Sequence, residues 1–172
     1  MRSIRVAVVV GTRPELIKLV DVISALRSND VCRPAVIFTG QHDELIESTA
    51  SAFGIQPDYR LGPAPKGRSL TELLAQILGD LGNLLTDIDP SGVVIQGDTA
   101  SALAGALTSE MMNVPLVHIE AGVRSEARND PFPEETIRRI ISPITELHIC
   151  FSETTRRNLL REGIDPRTVR VT

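Results

Sequence analysis

Short β-branched runs alternate with longer amphipathic stretches along the whole chain. Ile4 to Val10 is a Val/Ile-rich run that stops at Gly11 and predicts a buried strand. Leu16, Leu19, Val20, Ile23 and Leu26 then recur at helical spacing, which predicts a helix from about Pro14 to Arg27. Thr12 and Glu15 have capping-box spacing at its start, and Pro14 sits in the first turn, where its missing N–H costs nothing. Further strands are expected at about Pro34 to Phe38, Val93 to Gln96, Pro115 to Ile119, His148 to Phe151 and Val169 to Val171. Between them the pattern places helices from about Asp43 to Phe53, from Leu70 along a leucine stripe to Leu85, from about Ser101 to Met112, from near Pro133, and from Ser152 to Gly163. The stripe of Leu70, Leu73, Leu74, Ile77, Leu78, Leu81, Leu84 and Leu85 reads as a core face, since two heptads are too few for a coiled coil. Residues 55–68 are rich in Pro and Gly and read as a loop.

This alternation predicts an α/β domain with a doubly wound parallel sheet covered on both faces by helices. At 172 residues the chain fits one domain able to bury roughly 70% of its unfolded surface. The 42% hydrophobic and 23% charged content is that of a globular protein rather than a disordered chain. Apolar runs such as Val6 to Val10 are far shorter than the ~20 residues of a membrane helix, and residues 1–10 lack the cleavage site of a secretory signal. A net charge of −4 excludes a generic polyanion binder. With 3% aromatic residues and no Trp, a stacking platform for single-stranded nucleic acid is not expected. Cys32 and Cys150 are far apart and form neither a disulfide framework nor a zinc motif, which points to a reducing, cytoplasmic compartment.

In a doubly wound sheet, ligands gather at the carboxyl ends of the strands. The residues there are Gly11-Thr12-Arg13-Pro14-Glu15, Thr39-Gly40-Gln41-His42, Gly97-Asp98-Thr99 and Glu120-Ala121-Gly122-Val123-Arg124, so four strand ends bring polar groups to one rim. Neither a dinucleotide fingerprint nor a P-loop follows the first strand. Arg13, beside the unpaired N–H groups of a helix start, suits a phosphate, or else a surface ion pair. Glu15 reads as a cap. Asp98 has two readings, a helix N-cap or a site acid. Glu120 emerges from an apolar strand, and partial desolvation there would raise its proton affinity and suit it to proton transfer. Of Glu134 and Glu135 in one first helical turn, the helix dipole accounts for one. Arg138 and Arg139 fit solvated or ion-paired roles, and His118 and His148 on strands fit satisfied core positions as well as ligand contacts.

Taken together, Gly11 to Glu15 with Lys18, Thr39 to His42, Gly97 to Thr99, His118 to Ser125, Pro131-Phe132-Pro133-Glu134-Glu135 with Arg138, and Ser152-Glu153-Thr154 with Asn158-Leu159-Leu160 resemble the bacterial non-hydrolysing UDP-N-acetylglucosamine 2-epimerases, in order and over essentially the whole chain. The resemblance implies a glycosyltransferase-B-like architecture, in which two Rossmann-like domains enclose a sugar nucleotide. Residues 1–172 correspond to the N-terminal domain, while a second domain supplies most nucleotide contacts and a catalytic His. The implied reaction is isomerisation of UDP-GlcNAc to UDP-ManNAc, a step toward cell-envelope polysaccharides, with neither metal nor redox cofactor. Asp98, Glu120 and Glu134 match the family's acid/base carboxylates. Arg13, Lys18, His118 and Arg138 match substrate-binding positions, and Gln41, His42 and Glu44 partly match an allosteric UDP-GlcNAc region.

The expected partners are a UDP-sugar, the second domain in cis or trans, and a second copy in a homodimer, with no nucleic acid or membrane. Residues 1–172 alone are expected to be inactive. Two alternatives stay open. One is a relative that hydrolyses the nucleotide sugar or acts on diacetamido-uronic acid nucleotides. The other is a non-catalytic binding or partner module of a split enzyme.

Overall fold

The computed structural model describes residues 3–41, 43–63, 67, 69–125, 127 and 130–172, with only the backbone of 43–45. Its elements in chain order are β1 (Ile4–Val10), α1 (Arg13–Ser28), β2 (Cys32–Phe38), α2 (Asp43–Ala52), β3 (Tyr59–Arg60), α3 (Leu70–Ile88), β4 (Gly92–Gln96), α4 (Ala100–Met111), β5 (Leu116–Ile119), α5 (Glu134–Ile141), β6 (Leu147–Cys150), α6 (Glu153–Arg161) and β7 (Val169–Val171). All seven strands pair in parallel in the order β3-β2-β1-β4-β5-β6-β7. The order reverses between β1 and β4, the switch point at which doubly wound sheets open a crevice.

The alternation of side chains along β1 divides the core in two. Ala7 and Val9 face α3, α4 and α5 through Leu81, Leu85, Ala102, Ala106 and Ile137. Val8 and Val10 face α1 and α2 through Leu16, Leu19, Ile23, Ile46 and Ala50. The leucine stripe of α3 is core packing, with Ile77, Leu81, Leu85 and Ile88 buried. Small residues let α4 lie close to the sheet: a Cβ on Gly105 would come within 2.7 Å of Ile95 Cγ2. A smaller cluster of Ala121, Cys150, Leu159 and Val169 seats α6.

The edge strand β3 departs from the sequence reading, which places a loop there. Both of its residues are exposed, so no hydrophobic pattern marks them. Flanking backbone bonds, Asp58 N–H to Val36 O at 2.8 Å and Leu61 N–H to Phe38 O at 2.8 Å, hold it on β2. Both cysteines are free, and no helix among the described residues is long and apolar enough to cross a membrane.

Candidate active site

The rim is built around the switch point. Gly11 ends β1 against α4, where a Cβ would lie 1.8 Å from Ser101 Oγ, so only glycine lets the strand and helix approach this closely. The buried Glu15 carboxylate accepts hydrogen bonds from the Gly11 N–H at 2.9 Å and the Thr12 N–H at 2.5 Å, and from Thr99 Oγ1 across the switch point at 2.6 Å. Burial raises the proton affinity of Glu15 despite these donors. Glu15 thus joins the β1 and β4 ends, a wider bracing role than a cap alone.

Thr99, not Asp98, caps α4, accepting from the Ala102 N–H at 3.1 Å. This removes the capping explanation for Asp98. The carboxylate of Asp98 instead receives Arg138 from α5, with Nε at 2.6 Å and Nη2 at 2.5 Å, both on Oδ2. Glu120, at the end of β5, has φ +67°. This left-handed conformation costs a non-glycine residue roughly 1–2 kcal/mol. Its Oε2 receives the Lys18 ammonium from α1 at 2.5 Å and the amide of Gln96. A cleft of about 220 Å3 opens between these pairs, lined by Lys18, Gly97, Asp98, Glu120, Val123 and Arg138. An adjoining, mainly apolar hollow of about 280 Å3 shares Lys18 and Glu120 and reaches Phe151.

The structure therefore brings Asp98, Glu120, Lys18 and Arg138 together at one opening. Glu134 is not among the residues lining that cleft, although the resemblance groups it with the other two acids; it occupies the first turn of α5 with Oε2 buried and without a hydrogen-bond partner. His118, matched to a substrate-binding position by the resemblance, is only 1% exposed. Its Nε2 lies 2.8 Å from the Gly97 carbonyl, and burial depresses its pKa to about 4. At neutral pH the ring is uncharged, Nε2–H donates to Gly97, and Nδ1 has no partner. His118 props the turn that carries Asp98. Arg13 is exposed in the first turn of α1. Gln41 is partly buried, and its Oε1 accepts from Ser101 Oγ at 2.6 Å and the Ser101 N–H at 3.2 Å, tying the β2 end to α4. His42 and the side chain of Glu44 lie outside the described residues.

Two contributors escaped the motif reading. Gln96 is 2% exposed at the end of a hydrophobic strand, a signal that its amide must find a polar partner. Glu135 is fully buried and lies behind Arg138, at 3.4 Å. Its position beside Glu134 gave no indication of which one faces inward.

The chain is similar to known proteins in sequence and fold. The family model described as UDP-N-acetylglucosamine 2-epimerase matches residues 24–172. The UDP-N-acetylglucosamine 2-epimerase of Salmonella typhimurium is 36% identical over 168 residues, covering 98% of this chain and 45% of that protein. The crystal structure of UDP-GlcNAc 2-epimerase from Neisseria meningitidis bound to UDP-GlcNAc superposes with a TM-score of 0.93 at 36% identity, over 98% of this chain and 46% of that one. A lipopolysaccharide outer core galactosyltransferase, 12% identical with a TM-score of 0.67, shares the fold over 45% of its length. The chain spans about half the length of the relatives it matches, and its sheet is the Rossmann-like half of a glycosyltransferase-B-like architecture. Its sequence and its fold lead to one conclusion: this chain belongs to the UDP-N-acetylglucosamine 2-epimerase family.

Proposed function

We propose that this chain forms one wall of a sugar-nucleotide 2-epimerase that converts UDP-GlcNAc to UDP-ManNAc. The observation that carries the reading is the placement of two carboxylates, Asp98 and Glu120, from the ends of adjacent parallel strands, in one cleft with a cation against each. The C2 hydrogen of the sugar is a poor acid, so its removal needs a carboxylate held at contact distance. In the proposed step one carboxylate takes the C2 proton, the C2 electron pair forms the C1–C2 double bond, and the C1–O bond breaks to release UDP. The glucal then takes a proton on its opposite face at C2, and a diphosphate oxygen re-adds at C1. Atoms and charge balance without metal or redox chemistry. Asp98 and Glu120 share the proton transfers, and Glu134 joins them by resemblance as a third acid. Lys18 and Arg138 hold Glu120 and Asp98 toward the sugar, and Arg13 faces the departing diphosphate, whose negative charge it offsets.

Relatives about twice as long support a second wall from another domain, with residues 1–172 alone inactive. The test is proton NMR of UDP-GlcNAc in deuterated buffer with the protein that joins this chain to its second domain. Deuterium at C2 together with UDP-ManNAc is expected. Asp98→Asn and Glu120→Gln should each lower kcat by about 10²–10⁴-fold, the usual contribution of general acid–base catalysis. Undiminished turnover in either variant would overturn the assignment. Release of free ManNAc would replace it with hydrolysis, and UDP binding without turnover would leave a binding module.

A further inference from the structure

Behind the cleft lies a second group of charges that the proposed reaction does not use. Glu135 is 0% exposed. A carboxylate in that setting needs paired charge around it, and here two arginines and a backbone N–H surround it, with Oε1 in an ion pair but accepting no hydrogen bond. Arg139 Nη2 lies 2.7 Å from Oε1, Arg138 Nη1 lies 3.4 Å from Oε2, and the Ser125 N–H donates to Oε2 at 3.1 Å. Arg139 continues outward to Glu162 at 3.3 Å, and Arg124 fixes Glu162 through Nε at 2.8 Å and Nη2 at 2.6 Å. On α5 Glu135 shares its face with Arg138 and Arg139, three and four residues on, rather than with the core residues Ile137 and Ile141, so its buried charge belongs to this ion-pair network.

What the charge does is set by Arg138, which has 15% of its side chain exposed and bridges two acids. Nη1 faces Glu135, while Nε and Nη2 face Asp98. A guanidinium is planar and rigid, so fixing one nitrogen from behind orients the edge offered to Asp98. The Ser125 bond also ties the segment after β5, which begins at Glu120, to the same carboxylate.

We propose that Glu135 is a positioning residue: from behind the cleft it orients Arg138, and through Arg138 it holds Asp98 in its working geometry. This rests on Asp98 acting in the reaction proposed above. The experiment is a double-mutant cycle in the two-domain protein, with UDP-ManNAc formation and C2 deuterium exchange followed for Asp98→Asn, Glu135→Gln and the pair. Glu135→Gln should lower kcat about 10-fold, with KM changed less than 3-fold. In the Asp98→Asn background the same change should cost less than 2-fold, because residues that act as a unit are non-additive. If Glu135→Gln is harmless, or multiplies the Asp98→Asn loss in full, Glu135 is only structural and the inference fails. If Asp98→Asn retains full activity, the catalytic reading itself fails, a distinct outcome. Should Glu135→Gln not fold, Glu135→Asp takes its place in the cycle; it keeps the charge but draws it back by one methylene, and the same non-additivity is required.

Discussion

Mild acid should loosen the rim through His118. Burial is the main cause that depresses its folded pKa to about 4, and His148 and Arg124 add to the effect, while the bond to the Gly97 carbonyl opposes it. The unfolded chain titrates this ring near 6.5. Between those values the unfolded state binds a proton that the folded state excludes, so the stabilising effect is complete above pH 6.5 and shrinks as the pH falls toward 4. At ~1.4 kcal/mol per pH unit, going from pH 6.5 to 5 costs about 2 kcal/mol. His148 shifts in the same direction, whereas Glu15, with a raised pKa, gains stability on acidification. The comparison with His118→Asn cancels both. Urea unfolding of the two proteins at pH 7, 6 and 5 should show the variant less stable at pH 7, with the gap closing by about 2 kcal/mol at pH 5. A gap that stays constant with pH would refute the argument that His118 is held neutral in the core.

Glu15→Ala should destabilise by about 3 kcal/mol in urea unfolding, because it strands the donors of Gly11, Thr12 and Thr99 in a buried site. Gly122→Ala should cost about 3 kcal/mol on the same assay, since Gly122 has φ +81° and a Cβ there would lie 2.2 Å from the Thr155 carbonyl oxygen. Lys18→Met should lower kcat/KM at least 10-fold in the two-domain protein, removing the cation on Glu120. Unchanged kinetics would show that this pair is incidental.

Much of the fold was legible because hydrophobic period and turn chemistry agree element by element. The run Val6 to Val10 reads as a strand with both faces buried, and its odd and even residues do enter two separate cores. The Thr12/Glu15 spacing marks the start of α1, where the Glu15 side chain meets the backbone N–H groups of Gly11 and Thr12. The strand β3 was not legible because both of its residues are exposed and carry no hydrophobic pattern. The rim could be placed from sequence, but its internal pairing could not. Which acid of Glu134 and Glu135 turns inward depends on the rotation of α5 against the sheet. That Arg138 closes on Asp98 depends on contacts 40 positions apart. The strand pattern fits His118 to a core position or to a ligand contact, and its burial follows from the packing of β5 between β4 and β6.

The charges in the cleft constrain where a diphosphate can rest. Its four charged lining residues, Lys18, Arg138, Asp98 and Glu120, cancel formally, and each cation is already engaged by an acid. A diphosphate entering there gains no unspent positive charge from this set. Arg13 differs: it is exposed at the start of α1 and makes no ion pair among the described residues. A charge-assisted bond from its guanidinium is worth about 1.5–3 kcal/mol, or roughly 10–100-fold in affinity. Arg13→Ala should therefore weaken UDP binding by that factor in titration calorimetry of the two-domain protein, leaving kcat within about 3-fold. If UDP binding is unaffected, the diphosphate takes its cations entirely from the opposite wall, and this chain handles the sugar alone.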